Sequence, residues 1–180
     1  MADQYAHRAP PGGGAVDGAA ASPIGQTRQF IANSRRTPMA KLDEKQESGV
    51  TFISGIMGDA FGAAFRDAAQ SERFGSDITR MAASWAFHDA WQQDGLARKD
   101  KSIAILSALI AMRQSLELKN HVKIGIANGL TAHELEGLLI QLTPYVGFPC
   151  IASATTAVIE AMREAGIAPE VQTSEEKGLL

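Results

Sequence analysis

The 180-residue sequence predicts an all-α fold, on three observations. No run shows the clean period-two alternation, closed by a two-residue hairpin turn, that marks paired strands. Apolar residues recur at helical spacing from about Glu47 onward, most clearly Leu135, Leu138, Leu139 and Leu142 at i, i+3, i+4 and i+7. Boundary residues also stand where helices must stop and start. Gly129 suits a left-handed helix stop, and Thr131-Ala132-His133-Glu134 after it has capping-box spacing.

In chain order, residues 1–22 carry Gly, Ala and Pro with few large apolar side chains, too little to offset the entropy of ordering. Residues 23–48 are polar, with at most a short helix over 27–33. Residues 1–47 are therefore read as a disordered or extended N-terminal segment, 48–168 as the helical domain and 169–180 as a C-terminal tail. Helices are expected over 49–57, 60–70, 77–92, 98–113, 116–128, 132–143 and 151–165. Trp85, Phe87, His88 and Trp91 read as a core cluster in the third. The fourth, from Ile103 to Met112, is apolar around nearly its whole circumference and must be covered on several sides, which predicts a homo-oligomer. Residues 137–159 contain no charge, but Pro144, Gly147 and Pro149 divide them into a helix end, a tight turn over Tyr145–Pro149 and a second helix start, not a membrane span.

Composition removes several function classes. Seventeen Lys+Arg against twenty Asp+Glu, a net charge of -3, lack the basic footprint of a nucleic-acid binder. The single cysteine, Cys150, can form neither an intrachain disulfide, a CxxC pair nor a zinc cage, so a cytoplasmic setting is expected. The start of the chain has no apolar core of the kind a secretory signal carries. Neither GxGxxG nor GxxxxGK[ST] nor GxSxG occurs. His133-Glu134 opens like a zinc-protease motif, but Gly137 occupies the place of the second histidine; no metal and no cofactor are expected.

Two features invite a functional reading beside a plain one. His121 shares a face with Leu118, Val122 and Gly125, while Lys119 and Lys123 lie on the opposite, solvated side. It is either a core histidine satisfied by a carbonyl or a group in a pocket, where Gly125 leaves room for a ligand or for close helix packing. Arg98, Lys99 and Lys101 crowd a helix N-terminus against the macrodipole. They are either a solvated first turn or a site that an anion would relieve.

Four blocks in order carry a resemblance: Trp91 with Gly95-Leu96 and Arg98–Ser102; Glu117–Val122; Asn128–Thr131 with Glu134–Glu136; and Tyr145–Pro149. Together with a weaker upstream match at Phe87–Trp91, residues 48–166 resemble the carboxymuconolactone decarboxylase family. The resemblance implies an alkylhydroperoxidase-like helical bundle assembled as homotrimers or homohexamers. The peroxidase branch needs a CxxC pair on the helix corresponding to 116–128, which has no cysteine here, so dithiol peroxidase chemistry is disfavoured. The decarboxylase branch implies cofactor-free release of CO2 from a small anionic lactone, such as 4-carboxymuconolactone, in aromatic-compound catabolism. On that likeness Arg98 and Lys101, with Trp91 and Tyr145, would bind substrate; His121 would be the acid/base, tuned by Glu136 or Glu134. The family usually has arginine where Lys101 stands, and lysine lacks its bidentate fork. Recruitment to an isomerase or hydrolase reaction, or to non-catalytic small-molecule binding, are the alternatives.

Overall fold

The computed structural model describes residues 39–179, and these form seven helices and no strand. The expected disordered tail and the short helix over 27–33 lie outside the described residues. Helix α1 spans Glu44–Met57, α2 Asp59–Gln70, and α3 Ser76–Met81, continuing as a π-helical stretch over Ala82–Ala90. Then follow α4 (Arg98–Ala111), α5 (Ser115–Ala127), α6 (Ala132–Val146) and α7 (Phe148–Glu164). No helix among the described residues is long and apolar enough to cross a membrane.

The first helix starts five residues before the expected position because Asp43 and Gln46 form a reciprocal capping box, each side chain taking the other's backbone N–H. The Thr131/Glu134 box ahead of α6 forms as read. Pro144 does not end α6. Its missing N–H falls in the last turn beside the exposed Ile140, and the break comes at Gly147, whose φ of 83° only glycine takes without strain. Pro149 then sits in the first turn of α7, where no N–H is needed.

Two layers result. The α4–α7 half encloses the larger core, with Leu106 and Ile110 of α4, Leu118 and Val122 of α5, and Val158 and Met162 of α7. Helices α1 and α2 with the π stretch enclose a smaller cluster of Leu42, Val50, Ala69 and Ala83. Gly49 makes this possible, since a Cβ there would stand 1.9 Å from the Ala83 carbonyl oxygen. Ile53 of α1, Trp91 and Ile124 of α5 form the seam between the halves.

Several expectations change. Trp85 is not core: it is 64% exposed, whereas Trp91 is buried, because six residues along a helix cannot share one face. Lys119 and Lys123 are not on a solvated face but pair with Glu160 and Glu164 of α7. Within one chain, α4 buries Leu106 and Ile110 while Ala104, Ala108 and Ala111 face outward. Residues 169–179 lie against α7, with Thr173 buried and Glu176 accepting two hydrogen bonds from Arg163.

Candidate functional site

At the seam, the Trp91–Ala97 loop, the start of α4 and Phe52 of α1 enclose an open recess of about 450 Å³. Its walls include three of the residues singled out in the sequence: Trp91, Arg98 and Lys101. Trp91 arrives there because the π stretch ends on it, its N–H donating to the Ala86 carbonyl five residues back at 2.9 Å. The Phe52 and Trp91 rings lie 6.2 Å apart, and the Arg98 guanidinium sits 5.0 Å over the Phe52 ring.

The three cations of the first turn of α4 have different fates. Lys99 pairs with Glu134 at 2.5 Å. Lys101 is buried, its ammonium donating to the Trp91 carbonyl at 3.0 Å and to the Gln93 carbonyl. Its first role is therefore to pin the loop, with one of three N–H donors left over. Arg98 alone is exposed and pairs with no carboxylate among the described residues, which makes it the cation open to an anionic ligand.

The proposed tuning carboxylates lie elsewhere. Glu134 is committed to Lys99 and to the Thr131 backbone and hydroxyl, which together hold its carboxyl at about 2, well below the ordinary carboxylate range. Glu136 faces a separate, mostly apolar recess between α6 and α7, beside His133. Tyr145 is 76% exposed and lines neither recess.

His121 lies on α5 one turn before Ile124, the residue that packs on Trp91 and Ile53. It does not line the recess. Its Nδ1 is buried with no hydrogen-bond partner among the described residues, so within these the satisfied core histidine is not what forms. Burial lowers its pKa, opposed by the charge of Glu117, and the ring is neutral at pH 7. Glu117, four residues earlier on the same face, is the carboxylate that acts on this histidine, and the i, i+4 spacing could have revealed it. Gly125 serves close packing, since a Cβ there would meet Leu130 at 2.8 Å. Sequence reasoning also missed Phe52, Gln92 and Asp94 in the recess wall; Phe52 is far from the others along the chain and no local signal marks it. Cys150 is buried, its thiol donating to the Ile110 carbonyl at 3.0 Å. No group of three or more His, Cys, Asp or Glu side chains that could hold a metal ion occurs among the described residues.

Residues 76–160 match the carboxymuconolactone decarboxylase family. The chain is 30% identical over 97 residues to 4-carboxymuconolactone decarboxylase of Acinetobacter baylyi, covering 54% of this chain and 72% of that protein. It is also 30% identical over 107 residues to nitrosuccinic acid decarboxylase of Metarhizium robertsii, covering 58% and 73%.

Proposed function

The chain belongs to the carboxymuconolactone decarboxylase family, and from that premise we propose that it is a cofactor-independent decarboxylase of a small carboxylated lactone or a related aromatic-derived acid. The observation that carries this reading is Arg98, a guanidinium with no carboxylate partner among the described residues, in a recess walled by Phe52 and Trp91. In such a reaction the bond from the carboxylate carbon to the ring breaks and CO2 leaves. The electron pair passes into the conjugated carbonyl as an enolate, and a proton then adds at carbon. Arg98 alone would favour the ground-state carboxylate, so a second cation must remain within reach as charge moves away from it. Lys101, three residues along α4 and lining the same recess, supplies that field.

His121 is assigned the proton-handling role. Its neutral ring and its buried Nδ1, which has no partner among the described residues, suit it to hold or release a proton. We also propose that the protein self-associates, supported by the exposed apolar side chains of Phe74, in the turn before α3, and of Ile78, Met81 and Trp85 on α3 and its π continuation. The deciding experiment measures CO2 release by purified protein from 4-carboxymuconolactone and related lactone acids. Release that is lost in Arg98→Ala and reduced at least about 100-fold in His121→Ala supports the reading. Wild-type turnover in a folded His121→Ala variant removes His121 from it, and no release from any acid removes the decarboxylase.

A further inference from the structure

The recess between α6 and α7 shares no lining residue with the one at the seam. It is open, about 360 Å³, and its apolar walls come from Leu135 and Leu139 of α6 and from Val158, Ile159 and Met162 of α7. Ala168 and Val171, in the segment after α7, complete the lining. Main-chain bonds fix that segment: the Ile167 N–H donates to the Met162 carbonyl at 2.8 Å and the Val171 N–H to the Ala168 carbonyl at 3.1 Å. A concavity of this size with preformed apolar walls suits a small organic molecule.

Its polar groups are few. Glu136 is exposed, lines the recess and pairs with no cation among the described residues. The cations that reach α6 and α7 are committed elsewhere: Lys99 to Glu134, Lys119 to Glu160, Lys123 to Glu164 and Arg163 to Glu176. The Thr155 hydroxyl donates to the Ile151 carbonyl at 2.8 Å, so its oxygen is left to a ligand as an acceptor. A neutral imidazole at His133 adds one donor and one acceptor. An unpaired carboxylate beside apolar walls is complementary to a cation that carries an apolar body.

We propose that this recess binds an amphipathic organic ammonium, its apolar ring or chain against Leu139, Val158 and Met162 and its cationic head on the Glu136 carboxylate. Burial of the apolar body supplies most of the affinity, and Glu136 supplies the choice of head group through a charge-assisted hydrogen bond. A carboxylate ligand of the same shape would meet a like charge there. The inference is independent of the decarboxylase reading. A second copy of the chain seated on this face is the competing occupant, and sedimentation reads it separately.

The test titrates the full chain calorimetrically near neutral pH with three probes: phenethylamine; phenethyl alcohol, which keeps the shape without the charge; and ethylamine, which keeps the charge without the ring. Phenethylamine should bind tightest, by about tenfold over phenethyl alcohol, with ethylamine too weak to detect. Glu136→Gln, an exposed substitution on a helix surface, should bring the amine down to the level of the alcohol, and Glu136→Lys should bring it lower still. Arg98→Ala should leave phenethylamine binding unchanged, because the seam recess takes no part in it. Absence of phenethylamine binding overturns the inference, as does alcohol or ethylamine binding as tightly as phenethylamine, or a Glu136→Gln protein that keeps the wild-type preference. A Glu136→Lys protein that sediments as the 19.1 kDa monomer where the wild type is larger would put a second copy on this face and overturn it too.

Discussion

Replacing Lys101 by methionine separates a loop anchor from a ligand-binding cation, because the two roles predict opposite effects on stability. The stem is buried and methionine refills it, so the ammonium is the main loss. Two hydrogen bonds from a charged donor, to the carbonyls of Trp91 and Gln93, disappear, at about 1.5–3 kcal/mol each. Against this, the folded protein no longer has to desolvate an ammonium, which returns several kcal/mol for a fully dry ion and less at a wall that opens to solvent. The net expected loss is about 2 kcal/mol. In urea unfolding followed by tryptophan fluorescence, that lowers the midpoint by about 1 M at an unchanged slope. Binding of acids in the recess weakens as well, since the Trp91–Ala97 loop forms its wall. If Lys101 served only to hold substrate, removing an unpaired buried charge would leave the midpoint unchanged or raise it. A Lys101→Met midpoint at or above wild type therefore refutes the anchor.

Three further outcomes follow from the same geometry. His121 has a lowered pKa, so the unfolded chain takes up its proton first as pH falls; wild-type stability should drop from about pH 6.5 downward, and His121→Gln should flatten that part of a urea-midpoint profile. Gly49→Ala places a Cβ 1.9 Å from the Ala83 carbonyl oxygen and forces α1 off the π stretch, an expected loss of at least about 1–3 kcal/mol by thermal unfolding; a melting temperature equal to wild type would show that the helices do not approach this closely. Trp85→Arg interrupts the exposed apolar row without touching the recess. Sedimentation should shift toward the 19.1 kDa monomer in this variant, and an unaltered assembly would place the interface elsewhere.

Helix identity was legible in the sequence because periodicity and caps are local: the Leu135–Leu142 stripe and the Thr131/Glu134 box appear in the structure as read. The Arg98, Lys101 and Trp91 part of the site was legible for a similar reason, since all three lie within a dozen residues of chain. What could not be read was partnership across the fold. Lys99 and Lys101 look alike on a helix N-terminus, yet one meets a carboxylate from α6 and the other two backbone carbonyls. Lys119 and Lys123 look solvated until α7 brings Glu160 and Glu164 beside them. Glu134 and Glu136 look equally available to His121, but a helix start commits the first and helix rotation turns the second toward α7.

The residues from Trp91 to Gln93 are held from three directions by devices of different kinds. The i→i+5 bond from Trp91 to Ala86 closes the π stretch and fixes where the loop begins. The approach of α1 permitted by Gly49 brings Ser48 against His88 and Gln92. Lys101 reaches back from α4 to two of the loop's carbonyls. The Arg98 side chain, by contrast, is held among the described residues only by the face of Phe52. On the proposed reading, a recess with one over-determined wall and one loosely held cation would divide recognition between them: the cation would set how strongly any acid binds, and the wall which acid fits. Substitutions at Ser48 or Gln92 should therefore reorder a series of acids while leaving the affinity for the simplest one nearly unchanged, and substitutions at Arg98 should scale the whole series down without reordering it.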